Sequence, residues 1–349
     1  MTTLTTPVPL ADSEKTNVYV GPASGSATTR RLRKGSLRLA AAGICLTGAL
    51  FVAFHAVVAY FLAYPPVPAL ASNPQLAKNL AYAEVTFASA DGASLVEGWW
   101  IPADDSRSTV VLSHGYGTNR EEPWVPMYDL AEHLHGLRYN VLMFDYGFAS
   151  ASRAAPATGG RLESRQLLGA IEFARSQGSE RLIVWGFSMG AGTALQAALL
   201  QPRLVDAMIL DSVFLADEHT LYHNVRRYAP LPKTPTVSLL RWFFPLTSGT
   251  RLDQIPSAEV QETAFDFPIL LIHGTADDKS PVALADNIAR SQTNASSGLW
   301  LVEDAIHEMT YRTHTEEYVR RTSAFLNEVS GPAPASPPSA DVSLASLRP

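Results

Sequence analysis

The chain has 349 residues, 46% hydrophobic and 17% charged, which suits one large globular domain or two small ones. Six basic and two acidic side chains fall within residues 1–38, so the remainder carries a net charge of −10 within a total of −6. An acidic body repels phosphate backbones and argues against nucleic acid as a partner. The only cysteine, Cys45, lies in an apolar segment, which leaves the rest of the chain without a disulfide, a thiol nucleophile or a cysteine metal site.

Residues 1–29 are rich in Thr, Ser, Pro and Ala, lack an apolar period and read as disordered. From Leu39 to Ala63 there is no Asp, Glu, Lys or Arg. At about 1.5 Å per residue a helix of that length covers the roughly 30 Å of a bilayer core, and it is apolar on every face. Arg30, Arg31, Arg33, Lys34 and Arg38 precede it, whereas the first basic residue after it is Lys78. This asymmetry predicts a signal anchor with residues 1–38 cytoplasmic and the remainder across the membrane. A signal peptide cleaved at Ala69-Leu70-Ala71 is the rival reading, although that site follows a longer apolar run than leaders carry. Arg30-Arg31 lacks the flanking residues of a twin-arginine signal, and Cys45 reads as an ordinary small apolar residue.

"YPPVPALASNP" opens a stiff, extended linker over residues 64–79, followed by a folded body at 80–330 and a disordered tail at 331–349. Within the body, short apolar runs predict strands at 83–89, 93–101, 109–114, 139–145, 181–186, 206–211, 267–273 and 298–304. The first two half-alternate, as an antiparallel edge does, and the later ones are continuously apolar, as strands covered on both faces are. Helix patterns fall at 125–136, 160–177, 189–200, 281–292 and 313–329. The expected fold is a mostly parallel eight-stranded sheet wrapped by helices on both faces. Residues 212–266 form a connection too long for a βα crossover, and their aromatics and prolines predict a cap over the sheet.

Gly186, Ser188 and Gly190 stand at alternate positions in "LIVWGFSMGAGTALQAALL", where a strand gives way to a helix of small residues. This fits G-x-S-x-G, a sharp turn that projects its serine from the sheet edge. A serine hydroxyl needs a base to take its proton and an acid to orient that base. Later strands supply both: "ILLIHGTADDKSP" brings Asp277, and "WLVEDAIHEM" brings His307. Asp278 and Asp211 compete for the acid role. His314 competes for that of the base but falls in a helix pattern that faces it to solvent. His114 and His273 precede glycines at strand ends and read as structural. His133 and His135 have no HExxH or carboxylate cluster beside them and read as a solvated helix end. No metal or cofactor site is expected, because no phosphate loop or dinucleotide fingerprint is present.

"LSHGYGTN", "GFSMGAG", "HGTADDKSP" and "EDAIH", in this order, resemble the esterase, lipase and serine-peptidase-like branch of the α/β-hydrolase superfamily. The resemblance covers nearly all of residues 83–329. It implies Ser188 as nucleophile, His307 as general base and then acid, and Asp277 as the residue that fixes the imidazole. It further implies an oxyanion hole made by the backbone N–H groups of Tyr116 and Met189. "DYGFASASR" departs from the usual turn after the fourth strand, and the HGGG loop of some esterases is missing. The activity implied is hydrolysis of carboxylic esters, with lipid-derived acyl esters the favoured class, by an enzyme held in the membrane through residues 39–63. The alternatives are a peptidase or amidase on the same fold and a non-catalytic binding protein; cofactor-free peroxidase chemistry on a similar triad is a minor option. The acyl chain, the leaving group and the oligomeric state leave no mark in the residues.

Overall fold

The computed structural model describes residues 27–150, 155–203 and 205–331. They fall in two compact units, residues 1–53 and 54–349.

The first helix, α1, runs over Ala27–Ala63. Residues 27–29 are therefore helical where the sequence reads as disordered, and the basic flank at 30–38 joins the same helix. Ala27, Arg30, Arg31, Leu32, Arg33 and Lys34 all favour helix, so the structure propagates back from the apolar run. Residues 1–26 lie outside the described set. Arg33–Ala63 is the one stretch among the described residues long and apolar enough to cross a membrane.

The segment after α1, expected to be a stiff, extended linker, is in part helical and is bonded to the body. It carries a short helix, α2 (Pro74–Lys78), with Pro at its first position and Asn73 Oδ1 accepting from the Leu76 N–H at 2.9 Å. Before α2, the Asn119 amide donates to Pro68 O at 2.8 Å, and the Ser72 N–H donates to Glu121 at 2.7 Å. The prolines stiffen this strap, but side chains of the body hold it down.

The body then reads β1 (Ala83–Ala88), β2 (Leu95–Ile101), β3 (Ser108–Ser113), α3 (Met127–Gly136), β4 (Asn140–Phe144), α4 (Arg161–Ser176), β5 (Arg181–Phe187), α5 (Met189–Leu200) and β6 (Ala207–Asp211). Three helices follow in the long connection: α6 (Glu218–Tyr228), α7 (Lys233–Ser248) and α8 (Ser257–Glu262). The chain closes with β7 (Ile269–Gly274), α9 (Val282–Ser291), β8 (Gly298–Val302), α10 (Thr310–Thr313) and α11 (Thr315–Val329). The eight strands form one sheet in the order β1-β2-β4-β3-β5-β6-β7-β8. β2 pairs antiparallel with β1 and β4, and every other pairing is parallel.

Alternation along the strands explains why the central runs are wholly apolar. Val111, Leu142, Val184 and Leu210 face one side, against α4, α5 and α9. Val110, Val141, Ile183 and Ile209 face the other, against α3 and α11. Each of these central strands buries both of its faces, so neither can be polar. The parallel strands all end at one edge, and the loops that leave this edge carry the residues described next.

Candidate active site

Ser188 sits between the last residue of β5 and the first of α5, with φ 49° and ψ −117°. A non-glycine residue held there is strained, and its neighbours hold it. Its N–H donates to Asp211 O at 2.9 Å, and its carbonyl accepts from the N–H groups of Gly192 and Phe214 at 3.1 Å each. The flanking glycines are required by close approach. A Cβ on Gly186 would stand 2.6 Å from Ala191 Cα, and one on Gly190 would overlap Ser113 O and stand 2.5 Å from His114 O.

The Ser188 Oγ is 2.7 Å from His307 Nε2, and His307 Nδ1 is 2.7 Å from Asp277 Oδ2. Ser188 and His307 are each 6% exposed, so water does not compete freely for these contacts. A carboxylate can only accept, so His307 carries its proton on Nδ1 and turns the Nε2 lone pair to the serine hydroxyl. Asp277 is itself held: its Oδ1 accepts from the backbone N–H groups of Lys279 and Ser280 at 2.9 and 2.8 Å. Burial alone would raise the Asp277 carboxyl, but the His307 hydrogen bond and charge and the Ser280 N–H hold it below the usual range.

The competing residues lie elsewhere. Asp278 pairs with Arg227 at the surface. Asp211 is buried among Thr310, Ser212 and Tyr318, and burial raises its carboxyl. His314 is exposed between α10 and α11. His114 is fully buried and pushed down to about 4 by that burial; it receives the Tyr146 N–H at 3.0 Å and faces Gly115 O. His273 faces Ser280 O at 3.1 Å and Asp277 at 3.4 Å. His133 and His135 are half-buried in the last turn of α3 and bond Ser323 and Pro102 O at 2.8 and 3.1 Å. Both still point to separate partners, and no group of three metal-ligating side chains occurs among the described residues.

The loop after β3 comes up against the serine. A Cβ on Gly115 would stand 3.4 Å from Ser188 Cβ. The Tyr116 N–H and the Met189 N–H, the latter in the first turn of α5, have no hydrogen-bond acceptor among the described residues. Residues 151–154 of the divergent turn after β4 lie outside the described set.

Two acidic residues that the sequence does not single out stand behind this loop. Glu122 accepts the Gly115 N–H at 2.6 Å, and a side chain on Gly115 would overlap the Glu308 carboxyl. Burial pushes Glu122 up to about 8; burial together with the charge of Glu122 does the same to Glu308. Both therefore hold their protons near neutral pH. No spacing announces the pair, because Glu122 sits in a polar "REEP" loop that reads as surface.

Ser188, His307 and Glu308 open into a cavity of about 260 Å³ with a mostly apolar lining, including Leu62, Ala216, Leu221, Phe214 and Phe244. That volume lies just below the range of drug-sized sites.

A family profile described as "alpha/beta hydrolase fold" matches residues 108–298. The chain belongs to that family. Among solved structures it is similar to an esterase of Pyrococcus furiosus, at 26% identity and TM-score 0.63, with 78% of this chain and 99% of that one covered. Est1E of Butyrivibrio proteoclasticus, solved with ferulic acid, shares the fold at 15% identity and TM-score 0.53, over 70% of this chain and 98% of that one. Among curated proteins it is 28% identical over 229 residues to the uncharacterized YfhR of Escherichia coli K12, covering 63% of this chain and 70% of that protein. An uncharacterized Mycobacterium tuberculosis protein is 27% identical over 236 residues, covering 66% and 72%.

Proposed function

We propose that this chain is a membrane-anchored serine hydrolase that cleaves carboxylic esters with an apolar acyl group, lipid-derived esters being the favoured class. The observation that carries the reading is the relay from the strained Ser188 through His307 to Asp277, facing an apolar cavity. His307 Nε2 takes the Ser188 proton as the oxygen attacks the ester carbonyl. The N–H groups of Tyr116 and Met189 receive the oxyanion, and fixed donors of this kind are worth roughly 3 to 4 kcal/mol each in related sites. His307 then returns its proton to the departing alcohol, leaving an acyl-serine. A water activated by the same imidazole releases the acid.

Placement at the bilayer is supported by the uncharged, apolar residues 39–63 of α1 and by the basic residues in its first turns. In this reading residues 1–38 are cytoplasmic and the catalytic body lies outside. Exposed Trp242 and Leu246 on α7 add apolar surface on the cap. The esterase reading also agrees with the similarity to the Pyrococcus furiosus esterase. The test is hydrolysis by the full-length protein of p-nitrophenyl esters of graded chain length, with aminoacyl anilides alongside. Ester turnover that Ser188→Ala abolishes supports the reading; turnover of anilides alone contradicts it.

A further inference from the structure

We propose that the last turn of α1 is a wall of the acyl pocket, and that Leu62 sets the length of chain the pocket accepts. The proposal rests on the ester-hydrolase reading of Ser188.

Four observations converge on that turn. His55, Ala59 and Ala63 are 1%, 0% and 0% exposed, and with Leu62 they fall at the i, i+4, i+7 and i+8 positions of one helical stripe. Val57, Tyr60 and Phe61, off that stripe, are each more than half exposed. Leu62 packs on the cap cluster that includes Ala216, Leu221 and Phe244, and it lines the cavity that holds Ser188.

The fourth is the capping of the helix end. The last four carbonyls of a helix have no partner within it. Here Tyr60 O accepts from the Tyr64 N–H at 2.8 Å, and Ala63 O from the Ala157 N–H at 2.6 Å. The Tyr116 hydroxyl donates to Phe61 O at 2.7 Å and to Leu62 O at 3.1 Å. One turn earlier, the Thr247 hydroxyl of α7 donates to Ala59 O at 3.1 Å. These donors come from the oxyanion loop, the approach to α4 and the cap. A mere tether needs none of them. The clamping of Pro68 and Ser72 by Asn119 and Glu121 continues the docking through the Ala-Leu-Ala site.

The exposed Tyr60 and Tyr64 beside the docked stripe suit the membrane interface, where such rings collect. An acyl chain leaving the bilayer there meets Leu62 on its way to Ser188.

The experiment uses the full-length chain in lipid nanodiscs and compares wild type, Leu62→Ala, Leu62→Trp and Val57→Ala. It reads kcat/KM along a p-nitrophenyl ester series. Each buried methylene is worth about fourfold, so Leu62→Ala moves the optimum about two carbons longer and Leu62→Trp about two shorter. Val57→Ala, off the docking stripe, leaves the series unchanged. In parallel, affinities for butanoate to octanoate are measured in the Ser188→Ala background. Unchanged chain-length ratios in both Leu62 variants, with hydrolysis and fold retained, overturn the wall. If the wild type hydrolyses no ester, the enzyme reading fails instead. The carboxylate series then decides the wall alone: a shift in Leu62→Ala upholds it, and equal affinities overturn it.

Discussion

The loop edge of the sheet and the roof over it are built on different terms. Around Ser188 the backbone does the positioning: a left-handed residue, two glycines without room for a Cβ and an Asx turn at Asp277 fix atoms to within tenths of an ångström. The roof of α6, α7 and the end of α1 is held by apolar contacts and a few helix-end hydrogen bonds. The first kind of order tolerates almost no change and leaves motifs behind. The second can be met by many side chains and leaves none. Substitutions at the edge are therefore expected to stop the chemistry or the fold, and substitutions in the roof to retune selectivity or stability.

The largest effects belong to the relay. Ser188→Ala, His307→Ala and Asp277→Asn are expected to lower kcat by roughly 10³ to 10⁶, about 4 to 8 kcal/mol of barrier, with little change in melting temperature. Asp277→Asn with near-normal turnover breaks the assignment and moves the acid role to another carboxylate. Next comes Gly190→Ala, whose methyl would have to displace the Ser113 and His114 carbonyls. A cost of about 2 to 3 kcal/mol in denaturant unfolding is expected, and a loss under 0.5 kcal/mol would show that the elbow relaxes easily.

The buried pair Glu122 and Glu308 gives a smaller, pH-dependent effect. Unfolded glutamates ionise near 4.5, whereas both folded groups keep their protons to about 8. Between those values the folded chain holds more protons than the unfolded one, so stability falls as pH rises. Glu122→Gln with Glu308→Gln removes that fall. The wild type is expected to lose a few degrees in melting temperature from pH 5 to pH 8 relative to the double variant, a change of about 1 kcal/mol or more. Parallel curves would mean that the pair stays ionised. The smallest effect is Tyr116→Phe, which removes the hydroxyl shared by Phe61 O and Leu62 O and leaves the backbone N–H in place. About 1 kcal/mol of stability is expected to go, with the catalytic rate nearly kept.

The same division explains what could be read from the residues. The central strands are visible because two-sided burial demands unbroken apolar runs, and the Gly-Ser-Gly alternation is visible because crowding admits nothing larger. The docking of α1 is invisible, since Tyr116 caps it through an ordinary hydroxyl across a gap of about fifty residues. The strap at 64–73 reads as a spacer because Pro68 and Ser72 are held through their backbones, which carry no side-chain signal. Glu122 and Glu308 meet only through the fold, and an isolated glutamate in a loop looks like surface.

The most direct test of the relay is labelling of the full-length protein by a fluorophosphonate, followed by mass spectrometry of its peptides. One modified serine, Ser188, is expected, with labelling lost in Ser188→Ala and strongly slowed in His307→Ala. Modification of a different serine, or undiminished labelling in His307→Ala, would contradict it.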